Sequence, residues 1–448
     1  MKIIQISASY KPAYIYGGPI MSVAKLCEAL VETEEQKARI KEQGAKSKER
    51  DLKVEVFTTT ANGENELAVD TKTPLLVDGV NVRYFKRLTK DHTHFSPALL
   101  WALRQDILTE IKEQGTRNKE QILTKGKQRA TNNEQRTTNN DLIIHIHAWW
   151  NLVSLLSCLV AKWYKIPVLL SPRGMLTSYT LGNRNSFSKR LIHSLIGKRL
   201  LQYCHIHATS EKEKEDIVAL ILAKSVTVIP NLVELEEVPS SKFEIQSRER
   251  QITINERQAT IDEKRTSNNE TFKLIFLSRV EEKKGLDLLF EALAELKFDW
   301  SLTIAGSGDE SYVKNLKRKS ESSKLDKRIN WVGQIDKKEK FKLLEEHDLL
   351  VLTSYNENFA NVVIESLSVG TAVLISKEVG LYDYVQKNNF GWITSINKNS
   401  ILNNLEQATM DTEKLTTIRS LSPKIVRNDF SKQTLINGYL KIYHQLTL

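Results

Sequence analysis

Two glutamates in the second half of the chain have the spacing and setting of a ligand-binding loop. Glu357 and Glu365 lie in the run ENFANVVIES with seven residues between them. Glu357 precedes a predicted helix and Glu365 lies within it, so the unpaired amides of the first helical turn fall between the two carboxylates. Those amides and the positive end of the helix dipole favour an anionic group. The run therefore predicts a site for an anionic ligand that also carries hydroxyl groups.

Two cations flank the end of a predicted strand earlier in the same half. The strand at residues 274–277 runs into SRVEEKKGLDLLFEAL, which places Arg279 and Lys284 around a short loop before an amphipathic helix. In open α/β sheets this edge forms the ligand crevice, so a diphosphate is a sensible target. Ordinary surface charge is the alternative for this pair of residues taken in isolation.

A glycine pair follows the first predicted strand. Gly17 and Gly18 come before Pro19 and a helix, so their amides could approach an anion at a helix N-terminus. An ordinary tight turn is the alternative, because the strict dinucleotide-binding fingerprint is absent.

The strands and helices that position these residues alternate along the chain. Short apolar runs occur at residues 3–6, 54–58, 142–146, 168–170, 274–277, 302–304, 349–352 and 373–375. Continuous apolar strands flanked by amphipathic segments are buried on both faces, which predicts two parallel, doubly wound α/β domains. The first helix carries an apolar face with i, i+3, i+4 and i+7 spacing, formed by Val23, Leu26, Cys27 and Leu30.

Length and composition agree with two globular domains. The length of 448 residues exceeds what one hydrophobic core usually supports. With 40% hydrophobic and 27% charged residues, the composition is that of a globular protein. The net charge of +10 favours anionic partners, but no zinc-finger spacing or aromatic RNA-binding signature occurs, so we expect no nucleic acid. Cys27, Cys158 and Cys204 are widely spaced in apolar stretches and predict buried thiols rather than disulfides or a metal site.

Three polar, low-complexity stretches interrupt the pattern, near residues 33–51, 113–140 and 247–270. They cannot bury a core, and their apolar positions are too sparse for a coiled-coil seam, so we interpret them as passive surface inserts. We predict an N-terminal domain at 1–235 with the first two inserts and a linker with the third insert at 236–271. A C-terminal domain at 272–425 and a helix at 426–448 that packs back toward the N-terminal domain would follow.

In its motifs the chain resembles the large retaining glycosyltransferase family usually numbered four. The motifs occur in family order and include YGGP, HIHAWWN, LLSPRGML, HATSEKEKEDI, VIPNLVEL, LSRVEEKKGLDLL, LTIAGSGDE, INWVGQI, NENFANVVIESLSVGTAVLIS and GLYDYV. The resemblance covers nearly everything except the inserts. It implies the GT-B fold, with two Rossmann-like domains facing a central cleft. The SPRGML and HIHAWWN forms resemble the branch associated with bacterial surface and extracellular polysaccharide assembly.

The resemblance implies transfer of a sugar from a UDP- or GDP-sugar donor to a glycan or lipid-linked acceptor. Arg279 and Lys284 would bind the diphosphate, Glu365 the ribose, and Glu357 the donor sugar. The Gly17 and Gly18 turn would close over the diphosphate from the N-terminal domain. Front-face attack would explain retention without a side-chain base, and no metal or other cofactor is expected. The loop at the helix start would contact sugar hydroxyls or phosphate through Asn358, Phe359, Ala360 and Asn361.

Two further residues are candidate contacts for the sugar or the acceptor. His147 ends a predicted strand, and a structural role is the alternative for this histidine. Many relatives place a histidine where this chain reads SPRG, so Arg173 is a departure from the family pattern. The other histidines in apolar strand patterns predict core or rim positions rather than a metal site: His145, His205 and His207. A nucleotide-sugar epimerase of the same architecture and a non-catalytic binding protein remain as alternative functions.

The run NSFSKRLIHSLIGKRLLQYC is amphipathic and basic. Its cations are Lys189, Arg190, Lys198 and Arg199. It predicts peripheral contact with an anionic membrane at the cytoplasmic face, and an ordinary core-facing helix is the alternative. No apolar run approaches membrane-spanning length.

Overall fold

The protein is described here by a computed structural model that covers residues 1–16, 18–42, 51–90, 93–124, 141–177, 197–235 and 271–447. It divides into two compact units. Unit 1 comprises Met1–Thr209, Glu213–Leu232 and Lys432–Leu448, and unit 2 comprises Ser210–Lys212 and Val233–Ser431.

Unit 1 is built on an eight-stranded sheet. Its strands are β1 (Lys2–Ser7), β2 (Lys53–Thr59), β5 (Leu75–Val77), β6 (Val80–Phe85), β7 (Leu142–His147), β8 (Val168–Ser171), β9 (His205–Ala208) and β10 (Ser225–Val228). The order is β10-β9-β8-β7-β1-β2-β6-β5, and all neighbours are parallel except β5 and β6. A small hairpin, β3 (Ala61–Asn62) and β4 (Asn65–Glu66), lies outside this sheet.

Helices cover both faces of this sheet because its strands are apolar on both faces. They are α1 (Gly18–Glu42), α2 (Pro97–Thr124), α3 (Leu152–Trp163), α4 (Lys198–Leu201), α5 (Glu211–Leu220), which belongs to unit 1 from Glu213 onward, and the final helix α13 (Lys432–Thr447). Side chains of α2 and α3 pack into one core, and those of α1 and α13 pack into the other. The predicted apolar face of the first helix is buried, which confirms that prediction for Val23, Leu26, Cys27 and Leu30.

Unit 2 has a six-stranded, wholly parallel sheet in the order β13-β12-β11-β14-β15-β16. The strands are β11 (Phe272–Leu277), β12 (Trp300–Ala305), β13 (Ile329–Gly333), β14 (Leu349–Leu352), β15 (Ala372–Ser376) and β16 (Gly391–Thr394). The helices are α6 (Leu286–Leu293), α7 (Glu310–Ser322), α8 (Lys337–Glu345), α9 (Asn361–Ser368), α10 (Tyr382–Lys387), α11 (Lys398–Met410) and α12 (Thr412–Asp429). The strand order reverses between β11 and β14, which makes the carboxyl ends of these two strands the expected ligand crevice. The predicted fold of two doubly wound α/β domains is confirmed.

Two of the predicted inserts begin as helix rather than loop. Helix α1 continues to Glu42 and α2 continues to Thr124, well into the polar stretches. Their Glu, Lys, Gln, Arg and Ala residues have high helix propensity, and Lys37 pairs with Glu34 one turn away at 3.3 Å. A helix can therefore extend into sequence that buries no core. The rest of the first two inserts, at residues 43–50 and 125–140, lies outside the described residues. So do the third insert at 247–270 and the linker residues 236–246 before it.

The predicted C-terminal helix begins later than residue 426. Val426 and Phe430 are 0% and 4% exposed in the core of unit 2, and the ring of Phe430 packs 5.1 Å from that of Tyr384. This anchoring keeps the segment before Lys432 in unit 2. The helix that belongs to unit 1 is α13, which starts at Lys432.

The three cysteines are buried and unbonded. The sulfur atoms of Cys158 and Cys204 lie 3.4 Å apart, a proximity that their sequence separation does not reveal. Among the described helices, none is both long enough and apolar enough to cross a bilayer.

Loops at the carboxyl end of the unit 2 sheet pack backbone against backbone. Gly285 has φ +70°, and a Cβ there would lie 2.3 Å from the carbonyl oxygen of Thr353. A Cβ on Gly380 would lie 1.9 Å from the carbonyl oxygen of Asn358. Real Cβ atoms do not approach a carbonyl this closely, so glycine is required at both positions.

The remainder of the second insert should be dispensable. We expect that replacing residues 125–140 with a short Gly and Ser linker changes the free energy of unfolding by less than about 1 kcal/mol, because closure entropy depends weakly on loop length. Ile107→Ala in the buried part of α2 is the control and should cost about 2–5 kcal/mol. Urea unfolding measures both. A linker variant as unstable as Ile107→Ala would show that the insert packs on the unit.

Gly285 and Gly333 have similar positive φ values, so alanine variants of the two can distinguish steric contact with a neighbour from backbone strain. Gly333 has φ +72° with nothing near its Cβ position, whereas Gly285 meets Thr353. Gly333→Ala should lower the free energy of unfolding by roughly 1–2 kcal/mol, the cost of left-handed backbone. Gly285→Ala should cost clearly more in the same urea experiment. Equal losses would contradict the close contact.

Candidate active site

Two loops of unit 2 bring a cation and a carboxylate together. Lys284 ends the short 3-10 turn Glu282–Lys284 after β11, and Glu357 lies between β14 and α9. The backbone N–H of Tyr355 donates to the carbonyl of Lys283 at 2.8 Å, and the Thr353 hydroxyl donates to the carbonyl of Gly285 at 3.1 Å. These bonds join the two loops at the point where the strand order reverses.

Lys284 Nζ donates to Glu357 Oε2, and the two side chains form an ion pair. Lys284 is only 4% exposed, while the side chain of Glu357 is 21% exposed. Burial lowers the pKa of Lys284 from its ordinary value of 10.5; the Glu357 carboxylate opposes this change, and the nearby cations of Lys283 and Arg279 add to it. A buried ammonium group without a partner would be very costly, so Glu357 is required to keep Lys284 charged here.

A third loop fixes the backbone of Glu357. Its N–H donates to the carbonyl of Glu378 at 3.0 Å, and its carbonyl accepts from the N–H of Gly380 at 2.8 Å. The loop after β15 therefore holds Glu357 from the other side. The carboxylate is positioned by backbone hydrogen bonds from two directions and by the ion pair.

The start of α9 offers backbone amides beside this pair. Ala360 is its N-cap with φ 68°, an unusual conformation for a residue with a side chain, and its side chain cannot cap the helix. The carbonyl of Ala360 accepts from Val363 N–H at 3.0 Å, and Phe359 anchors the loop at 2% exposure. The first amides of a helix have no intrahelical partner and attract anions. Strain of this kind is concentrated at functional sites.

Arg279 and Glu365 have partners other than the Lys284 and Glu357 pair. The Arg279 side chain is 67% exposed and lies 2.6 Å from Glu281. Glu365 Oε1 lies 2.7 Å from Lys340 Nζ of α8, with side chains 12% and 18% exposed. Sequence reasoning missed Lys340, because it is one of several lysines in a polar helix and only the packing of α8 on α9 distinguishes it.

The candidate residues of unit 1 lie at the ends of β7 and β8. Arg173 has φ 53°, and its guanidinium donates to Asn231 Oδ1 at 3.1 Å and to His147 Nδ1 at 3.5 Å. His147 is 1% exposed, and its Nε2 bonds to Gln5 Oε1 at 2.8 Å. Burial lowers the pKa of His147 well below 6.5, and repulsion from His145 and Arg173 lowers it further. Both ring nitrogens of His147 are thus engaged by protein groups.

The remaining candidate histidines and glycines lie outside the Lys284 and Glu357 pair. His145 and His207 are buried and hydrogen bonded, as predicted for core histidines, and His205 bonds to Ser225 at 2.9 Å. Gly18 is the first residue of α1, and Gly17 lies outside the described residues. Within the part of the chain that the structure describes, no three His, Cys, Asp or Glu side chains cluster as a metal site would require.

Two family models match the chain. Glycosyltransferase Family 4 matches residues 119–237, and Glycosyl transferases group 1 matches residues 257–420. Together the two matches span more than half of the chain, and they fall on the two different units.

Similar proteins include the human alpha-1,3/1,6-mannosyltransferase ALG2, 27% identical over 27% of this chain and 33% of that protein. The lipopolysaccharide core biosynthesis glycosyltransferase LpsE of Rhizobium meliloti (strain 1021) is 25% identical over 37% of this chain and 48% of its own length. The chain thus spans less than half the length of these curated relatives.

Among solved structures, Anabaena HepE in complex with UDP and glucose is similar over 99% of this chain and 100% of that chain, with a TM-score of 0.63 and 17% identity. At that identity the likeness concerns the fold alone, and it covers both units. The family matches and the fold lead to one conclusion: the chain belongs to glycosyltransferase family 4 and has the GT-B fold.

Proposed function

We propose that the protein is a retaining, metal-independent glycosyltransferase that transfers a sugar from a UDP- or GDP-sugar to a glycan or lipid-linked acceptor. The observation that carries this proposal is the buried Lys284 and Glu357 pair at the switch point of the unit 2 sheet, beside the start of α9. The complex of HepE with UDP and glucose supports a nucleotide-sugar donor. The name of LpsE supports a role in cell-surface or extracellular polysaccharide biosynthesis.

In this proposal Lys284 and Arg279 bind the donor diphosphate. Negative charge grows on the diphosphate as the glycosidic bond breaks, so fixed cations stabilise the transition state more than the ground state. Arg279 pairs with Glu281, whose side chain is itself 32% exposed, and such an exposed pair costs little to break. The amides at the start of α9 add to this stabilisation, and they together with the two cations make a metal ion unnecessary.

Each glutamate keeps one carboxylate oxygen for the donor. Lys284 bonds to Oε2 of Glu357, and among the described residues no hydrogen bond reaches Oε1, which we assign to a sugar hydroxyl. Lys340 holds Oε1 of Glu365, which leaves Oε2 for the ribose hydroxyls. The departing phosphate oxygen would take the acceptor proton in a front-face attack, so no side chain acts as base.

The acceptor is assigned to unit 1. Arg173 is the candidate contact there, because it is partly exposed whereas His147 is buried and fully hydrogen bonded. His147 would therefore act through Arg173 rather than on the acceptor itself.

Peripheral contact with an anionic membrane is part of the proposal. Of the basic segment that motivates it, residues 185–196 lie outside the described residues. In α4, Lys198 and Arg199 are exposed while Leu200 and Leu201 are buried in the core. The described cations are therefore available to acidic lipid headgroups, and the leucines are not available to the bilayer.

Variants of the donor site should distinguish contacts that strengthen in the transition state from contacts that bind the donor equally throughout the reaction. Lys284→Ala and Glu357→Ala should lower kcat on the order of a hundredfold, the usual effect of losing one preorganised charge contact. Arg279→Ala should lower kcat as well. Glu365→Ala should chiefly raise the donor KM, because a ribose contact is equally strong before and during the reaction. Steady-state kinetics on folded variants measures these constants.

Glu291→Ala is the control for the donor-site variants. It breaks the exposed pair between Glu291 of α6 and Lys319 of α7 and should leave kcat and KM nearly unchanged. Near-normal turnover in both Lys284→Ala and Glu357→Ala would contradict the site assignment. Absence of any donor turnover by the unmodified protein would contradict the enzymatic function.

Liposome flotation tests the membrane contact. We expect higher recovery with anionic than with neutral vesicles, and a large loss of that difference when Lys198 and Arg199 are both changed to Gln. The control changes Lys53 and Lys342 to Gln, which removes the same charge from exposed sites elsewhere. Equal recovery with both lipids would rule out the contact, and equal loss in both double variants would reduce it to an effect of net charge.

A further inference from the structure

One continuous chain of hydrogen bonds crosses a face of the unit 1 sheet. Its members alternate with apolar residues along β1 and β7, so they lie on the sheet face that packs against α13. The chain links Arg173, His147, Gln5, Tyr443, His145, Ser171, His207 and the carbonyl group of Ile229.

The two ends of this chain fix its direction. A carbonyl oxygen can only accept, so His207 Nε2, 2.7 Å from the Ile229 oxygen, must carry a hydrogen. A guanidinium can only donate, so His147 Nδ1 must accept from Arg173. The two ends are determined independently, and both require that donation runs from Arg173 toward Ile229.

Every bond between the ends then has one donor and one acceptor. Each of the three histidines carries its hydrogen on Nε2 and accepts on Nδ1. From the arginine inward, the steps run from His147 Nε2 to Gln5 Oε1 at 2.8 Å, Gln5 Nε2 to Tyr443 at 3.2 Å, Tyr443 to His145 Nδ1 at 2.8 Å, His145 Nε2 to Ser171 at 2.8 Å, and Ser171 to His207 Nδ1 at 2.7 Å.

The network carries no charge of its own. All three histidines are at most 1% exposed, and burial lowers the pKa of each, for His207 to about 3. A second ring proton on His147 would also face the Arg173 guanidinium, so two donors would meet there. Arg173 is therefore held by the lone pair of a neutral imidazole.

Arg173 has no direct ion pair: among the described residues no carboxylate lies within ion-pair distance of it, and its Nε is buried without a hydrogen-bond partner. Burial lowers the pKa of Arg173, and the charge of the nearby Glu213 carboxylate opposes this change without contacting the guanidinium. The nearby Glu213 carboxylate accepts from the backbone N–H groups of Gly174 and Thr209 at 2.6 and 2.7 Å. A partly buried cation of this kind is stabilised when an anion reaches it.

We propose that Arg173 is an anion-binding residue of unit 1 that takes a phosphate or carboxylate group of the acceptor, and that the chain from His147 to Ile229 positions it without neutralising it. Assignment of the anion to the acceptor rests on the proposed function; the anion-binding property of Arg173 does not. Arg173 would touch the ligand, whereas His147, Tyr443 and the rest of the chain are positioning residues.

Calorimetric titration of the full chain tests the site, with and without saturating UDP to occupy unit 2. The probes are inorganic phosphate, farnesyl phosphate and glucuronate, which distinguish free phosphate, a lipid phosphate and a sugar carboxylate. We expect binding of at least one probe in the presence of UDP, weakened about tenfold or more in Arg173→Gln. Arg104→Gln, an exposed arginine of the same unit, is the control and should bind as the unmodified protein does.

Two tyrosines of α13 test the positioning role. Tyr443→Phe removes the link between Gln5 and His145, whereas Tyr439→Phe, one turn earlier and equally buried, removes only a side contact to His207 at 3.3 Å. Tyr443→Phe should weaken the probe severalfold and leave UDP affinity unchanged, and Tyr439→Phe should not weaken it. Nitrogen NMR of the histidine rings should show three neutral Nε2–H forms, with His145 altered in Tyr443→Phe.

The outcomes separate this inference from the proposed function. Failure of UDP to bind would contradict the donor site alone. Equal probe affinity in Arg173→Gln and the unmodified protein, or no binding of any probe, would overturn the anion site. A charged ring or an Nδ1–H form at His145, His147 or His207 in the NMR spectrum would overturn the directed chain.

Discussion

The buried ammonium group of Lys284 is the constraint on which the architecture of unit 2 depends. A cation that is 4% exposed needs a carboxylate in contact, and Glu357 comes from the loop after another strand, β14. The loops after β11 and β14 must therefore meet. They are joined by backbone hydrogen bonds, and the absence of a side chain at Gly285 lets the two backbone segments come into contact. The parallel order of the sheet places the two strands side by side. The need to pair a buried cation therefore constrains both the strand order of unit 2 and the geometry of the site.

The sequence predicts this part of the molecule well, because its signals are local. Buried parallel strands are continuous apolar runs, and residues that follow neighbouring strands meet at one edge. Lys284 and Glu357 could be placed near each other on that ground. The pairing of Glu365 with Lys340 could not be predicted, because it depends on how α8 packs on α9. The sequence of neither helix indicates which helix it packs against. The start of the last helix was missed for a similar reason, since Phe430 is anchored by tertiary contacts.

The buried cation of unit 2, Lys284, and that of unit 1, Arg173, have different kinds of partner. In unit 2 a carboxylate meets the lysine directly, so the pair has little net charge. In unit 1 the nearest contacts of Arg173 are an amide oxygen and an uncharged imidazole, which orient the guanidinium and leave its charge in place. The sequence contains a trace of this network in the alternation of polar and apolar residues in HIHAWW and in the first strand. Its continuity appears only when β1, β7, β8, β9 and α13 are brought together.

The position of α13 in the chain has a consequence for biosynthesis. Tyr439 and Tyr443 complete the core and the polar network of unit 1, yet they follow the whole of unit 2 in the sequence. A ribosome releases the segments of unit 1 before it has made the helix that closes them. Until residues after Lys432 emerge, the apolar and polar face that α13 covers is open to water and to chaperones. Unit 2, whose segment Val233–Ser431 is continuous, can therefore reach its native core first.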